Sequence, residues 1–155
     1  MRKLIHSLTH MIKGVGVYPR KKICTDQGCV YKWVGVHDPF FEKFGEIYFS
    51  SILPGVIKGW NVQTISDTNM ICIIGAIHLV LYDRRIDSPT HGMIQEVVIS
   101  NDVYDLVHIP YGVAFSWKAM GEHEAFVGNL ATETYTPEEL IKIDAHTGEI
   151  PYQWL

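Results

Sequence analysis

Met70-Ile-Cys-Ile-Ile-Gly-Ala-Ile-His-Leu-Val-Leu-Tyr82 is the stretch on which the fold turns. Isoleucine, leucine and valine dominate it, and β-branched residues suit a pleated, half-buried surface. Stepping two residues at a time places Gly75, Ile77, Leu79 and Leu81 on one face and His78 on the other, so His78 is expected to point away from the interior. Similar runs cover residues 30–36, 46–52, 56–63, 93–99, 103–109 and 124–130. Turn residues separate them, at Pro54-Gly55, Asp67-Thr-Asn69, Asp87-Ser-Pro89, His91-Gly92, Asn101-Asp102 and Gly121-Glu122. The rhythm is all-β, and short strands at this spacing form a sandwich or a barrel because closure removes unpaired edges.

Outward from this centre, both ends read as short helices. Leu4, Ile5, Leu8, Met11 and Ile12 share a helical face that stops at Gly14, which predicts an amphipathic helix over residues 1–14 ahead of a single barrel domain over 15–155. Pro137-Glu-Glu-Leu-Ile-Lys142, with Thr136 as N-cap and acids in its first turn, predicts a second helix. A chain of 155 residues that is 47% hydrophobic can bury a core without a metal or disulfide staple. The balance of 13 basic against 17 acidic residues lacks the footprint for nucleic acid or an anionic membrane. Cys24 and Cys29 could pair locally, but they are read with Cys72 as free thiols. The basic start is not followed by an apolar signal region, and no run approaches the ~18 residues of a membrane span, so a cytoplasmic location is expected.

A family resemblance emerges from several motifs taken together. Phe40-Phe-Glu-Lys-Phe-Gly45, Pro54-Gly-Val-Ile-Lys-Gly-Trp60, Leu81-Tyr-Asp-Arg-Arg85 with Ser88-Pro-Thr90, Ile109-Pro-Tyr-Gly-Val-Ala114, Tyr135-Thr-Pro-Glu-Glu139 and Ile150-Pro-Tyr-Gln-Trp154 follow one another in a recognisable order. Over roughly residues 36–155 the chain resembles the dTDP-4-dehydrorhamnose 3,5-epimerase family. The resemblance implies an antiparallel jelly-roll barrel of the cupin type, paired as a homodimer. It also implies a nucleotide-diphosphate 4-keto sugar as ligand, with protons exchanged beside the ketone. Such a carbon acid needs a base working near neutral pH and a group that holds the enolate oxygen, and neither a metal nor another cofactor is expected. The apolar face of residues 1–12 would serve the dimer.

The family's catalytic groups do not carry over. The base histidine position is Asn61, a second histidine position is Gln63, and a third, in the motif after Pro110, is Phe115. The catalytic tyrosine position is Asn129, and an aspartate expected inside the barrel is Leu79. The binding side is better kept. Lys58 matches a cation facing the diphosphate, Phe41 and Glu42 an aromatic–acid pair near the sugar nucleotide, and Tyr135 a tyrosine beside the pocket. Tyr135 is thus the catalytic candidate, with Asn61 at the base position; Asn61 and Asn129 join the substrate-binding set. Tyr111, Glu133 and His91 are further titratable candidates, whereas Arg84 and Arg85 are expected to maintain the fold. Asp144 lies near the family's orienting carboxylate, but the histidine it would orient is missing. The histidines lack the two-residue spacing of a cupin metal site, so no metal is expected. Two classes of function follow: an epimerase or isomerase of nucleotide-linked sugars with rearranged catalytic groups, or a catalytically silent binding protein or partner subunit.

Overall fold

A computed structural model describes residues 11–155. Its strands are β1 (Gly16–Pro19), β2 (Lys22–Thr25), β3 (Gly28–Tyr31), β4 (Glu46–Ile52), β5 (Ile57–Gln63), β6 (Thr68–Ile74), β7 (Ala76–Asp83), β8 (Ile94–Ser100), β9 (Asp105–Ile109), β10 (Val113–Ala119), β11 (Ala125–Ala131) and β12 (Leu140–Lys142). One sheet has the order β1-β9-β6-β11-β4 and a second the order β12-β5-β10-β7-β8, while β2 and β3 form a separate hairpin. The ladders that join these strands are antiparallel. Non-consecutive strands lie side by side, the arrangement of a jelly roll.

The two sheets enclose one core. Met70, Val107 and Val127 from the first sheet meet Ile77, Leu79, Leu81 and Phe115 from the second. Residues 70–82, expected as a single run, belong to two strands, β6 and β7. Gly75, at φ 75°, breaks the run, and the chain crosses from the first sheet to the second. Left-handed backbone of this kind suits glycine, which has no Cβ to clash. The alternation beyond the break holds: Ile77, Leu79 and Leu81 are buried, while His78 faces away and bonds Glu96 at 2.6 Å.

Local structure departs from the sequence expectation at two further places. The helix expected over 137–142 is a 3-10 turn (Pro137–Glu139) that runs straight into β12, and Thr136 makes no side-chain cap. Pairing wins over helix because Leu140, Ile141 and Lys142 complete the free edge of β5, opposite Gln63, Val62 and Asn61. Cys24 and Cys29 are not free thiols but a disulfide across the β2–β3 hairpin, where they stand directly opposite each other. Cys72 is free and buried, and burial pushes its thiol up to about 11. The helix expected over 1–14 falls mostly on residues outside the described range; residues 11–15 form coil and a turn, with Ile12 buried and its N–H bonded to Gln95.

The outer face of the second sheet is covered by the chain's C-terminal segment. Ile150 packs with Trp60, Val80 and Ala114, and Tyr152 meets the Trp60 ring edge-on at 6.1 Å. Arg85 maintains the fold as expected, binding the fully buried Asp83 through two nitrogens. No helix among the described residues is long and apolar enough to cross a membrane.

Candidate active site

Between β4 of the first sheet and β5, β10 and β12 of the second lies a cavity of about 630 Å³. Strand alternation builds its walls. Along β4, Glu46, Tyr48 and Ser50 face the cavity, and the intervening Ile47 and Phe49 are about half exposed on the other side. Asn129, buried on β11, stands directly opposite Tyr48. The facing wall carries Lys58, Asn61 and Gln63 from β5 and Lys142 from β12, with Lys142 directly opposite Asn61.

Phe115 and Trp117 of β10 line the same space, their rings stacked at 5.7 Å. The β5–β10 register shifts between them, and β5 meets that shift with Gly59 at φ 116°. A Cβ there would lie 2.8 Å from the Phe115 carbonyl oxygen, so only glycine permits the approach. Ser116 Oγ donates to the Lys58 carbonyl at 2.9 Å, and Lys58 Nζ donates to the Ser51 carbonyl on β4. The lysine therefore spans the cavity from one sheet to the other.

Of the residues singled out in the sequence, Lys58, Asn61, Asn129 and Tyr135 line this one cavity. Phe41 and Glu42 do not line the cavity; the Phe41 N–H closes a turn on the Asp38 carbonyl, and Glu42 is exposed with its charge acting on His108. Tyr111 and His91 are also elsewhere, and Glu133 lines a small adjoining recess where it is ion-paired with Lys43. Asp144 caps its own turn through the His146 N–H at 2.8 Å. His108 lies outside the cavity and bonds Asn69 at 2.8 Å; burial pulls its pKa down, against the opposing charge of Asp67.

The sequence reading missed Glu46, Tyr48 and Lys142. One signal was present: in Glu46-Ile-Tyr-Phe-Ser50 the polar positions recur every second residue, the mark of a strand whose inward face is polar. Glu46 Oε1 accepts the Tyr135 N–H at 2.8 Å and so holds the rim loop to the wall. Burial, and then the Glu46 charge, push the Tyr48 pKa above its ordinary value, which keeps the phenol protonated. Chemically, one wall offers a carboxylate and a phenol and the other offers ammonium and amide groups suited to holding oxygen.

A family model described as dTDP-4-dehydrorhamnose 3,5-epimerase matches residues 32–155. The spore coat polysaccharide biosynthesis protein SpsL of Bacillus subtilis is 32% identical over 129 residues, which span 83% of this chain and 85% of that protein. A probable low-salt glycan biosynthesis epimerase of Haloferax volcanii is 31% identical over 106 residues, 68% of this chain and 65% of its own. A solved dTDP sugar isomerase from Desulfovibrio desulfuricans superimposes with a TM-score of 0.90 at 31% identity, covering 92% of each chain.

Proposed function

This chain belongs to the dTDP-4-dehydrorhamnose 3,5-epimerase family, and from that premise we propose that it is an isomerase of nucleotide-linked 4-keto-deoxy sugars serving cell-surface polysaccharide or deoxysugar biosynthesis. The convergence of Lys58, Asn61, Asn129 and Tyr135 in one cavity carries this reading. Lys58 meets the diphosphate, the stacked Phe115 and Trp117 offer an apolar wall, and Asn61 hydrogen-bonds sugar oxygen from the position of the family's base. Tyr135, more than half exposed at the rim, exchanges protons with solvent. The protein works in the cytoplasm as a two-fold homodimer. Support for pairing comes from β4, an edge strand whose Ile47 and Phe49 are 47% and 56% exposed. Phe41 and Glu42, remote from their own chain's cavity, would then act on the sugar nucleotide only from a partner. A single-chain mass by light scattering at micromolar concentration would refute the dimer.

Binding has a direct test. A charge-assisted hydrogen bond contributes about 1.5–3 kcal/mol, so Lys58→Ala is expected to weaken dTDP-sugar binding by about 10- to 100-fold in titration calorimetry. Unchanged affinity would leave Lys58 as a strand-to-strand tie alone. Asn61→His by itself is expected not to create two-sided epimerisation. An imidazole base needs an orienting carboxylate and an acid on the far face, and the aspartate and tyrosine positions are Leu79 and Asn129. Inverted sugar centres produced by the single variant, seen by NMR, would contradict this.

A further inference from the structure

An epimerase of the two-sided kind removes a proton from one face of the sugar and returns one to the other, so it needs titratable groups on opposed walls. This cavity distributes its groups differently. Glu46 is the only carboxylate that lines it among the described residues, and Tyr48 is its neighbour two residues along the same face of β4. Tyr48 and Asn129 are directly opposite cross-strand partners, so both side chains leave the same face of the first sheet and both line the cavity. Opposed to them are Lys58, Asn61, Gln63 and Lys142, all of which present hydrogen-bond donors. Proton carriers lie on one wall and oxygen-holding groups on the other.

Resting on the sugar-isomerase reading, we infer that proton transfer is run from the β4 wall alone, with Glu46 as base and Tyr48 as acid, and that the sugar's ketone moves to the adjacent hydroxyl-bearing carbon. Glu46 takes the proton from that carbon, and the C–H electron pair becomes the carbon–carbon double bond of an enolate. The former ketone oxygen, held by the Asn61–Lys142 wall, takes a proton from Tyr48, giving an enediol. The Tyr48 phenolate then removes the proton of the neighbouring hydroxyl, whose electrons form the new carbonyl. Glu46, at the partly open cavity wall, exchanges the acquired proton with solvent and delivers a solvent-derived proton to the former ketone carbon on the same face. The product is an isomer, both side chains recover their starting forms, and no oxidant or reductant is consumed. The protonated Tyr48 fits its part: a phenol is needed at the step in which the ketone oxygen gains a proton.

The full chain is incubated in D2O with dTDP-4-keto-6-deoxyglucose and followed by NMR and mass spectrometry, beside Glu46→Gln, Glu46→Asp and Tyr48→Phe. The parent is expected to give a sugar whose carbonyl has moved, with deuterium at the former ketone carbon and no inverted centre. Glu46→Gln and Tyr48→Phe are each expected to slow this by about 100- to 10,000-fold, with dTDP affinity unchanged in calorimetry, and Glu46→Asp to recover part of the rate. Inverted centres, variants that react as the parent does, or variants that lose dTDP affinity along with activity would overturn the inference while leaving the sugar-nucleotide reading in place. A parent that binds dTDP without labelling the sugar would overturn it in favour of a silent binder. A parent that binds no nucleotide would remove the functional reading as well.

Discussion

Asp83→Ala is expected to destabilise the protein by about 3–5 kcal/mol, the cost of leaving a partly buried cation without its partner. Asp83 is fully buried and accepts from Arg85 Nε at 2.8 Å, Arg85 Nη2 at 2.9 Å, Ser88 Oγ at 2.7 Å and Thr90 Oγ1 at 2.6 Å. Arg85 in turn donates to the Lys13 carbonyl at 2.6 Å, so one carboxylate organises the turn after β7 and the segment leading into β1. For a chain of this size the loss corresponds to a fall in Tm of about 10 °C, measurable by circular dichroism. Burial pushes the Asp83 pKa up, but the bonds from Arg85, Thr90 and Ser88 outweigh it and hold the carboxyl well below the usual range. A depressed carboxylate stabilises the fold above its unfolded pKa of about 3.9, and that contribution is lost as pH falls through the folded value. The gap between parent and variant should therefore narrow on acidification below that point. An equal gap at neutral and strongly acidic pH would show that the carboxylate's charge is not what stabilises the turn.

Trp60→Ala carries a comparable cost, about 3–5 kcal/mol for deleting a large core side chain. The Trp60 ring is fully buried between Val80, Ala114 and Ile150, while its backbone exchanges hydrogen bonds with Ile143 at 2.7 and 2.9 Å. Trp60→Phe should recover part of the loss by refilling part of the space. Urea unfolding provides the measurement, and a shift below about 1 kcal/mol would mean that the surrounding segment collapses onto the vacated volume. Because these bonds continue the ladder of β12, the variant should also weaken nucleotide binding through displacement of Lys142.

The strands with strong apolar alternation were legible from sequence, and β4 coincides with the expected run at 46–52. The break at Gly75 was not, because periodicity reports which face a residue takes but not which sheet its strand joins. Pro137 and the acids after it carry helix-start chemistry, yet a free edge on β5 had more to gain from pairing than three residues had from a turn of helix. The hairpin disulfide was equally hidden, since a spacing of five permits pairing without requiring it. At the site, Lys58, Asn61, Asn129 and Tyr135 could be found because each sits in or at a fixed offset from a recognisable motif. The alternation in residues 46–50 marked a polar inward face for Glu46 and Tyr48, but which residues that face meets, and the place of Lys142, depend on register with strands remote in sequence.

The covering of the second sheet by residues 150–154 has a consequence for how the chain acquires its structure. Trp60, Val80 and Ala114 are all synthesised before Ile150, the residue that completes their cluster. On a translating ribosome these side chains stay uncovered while the segment that shields them is still being made, so the sheet cannot mature domain-half by domain-half in the order of synthesis. Contacts this distant in sequence favour slow, late consolidation of the sheet's outer face.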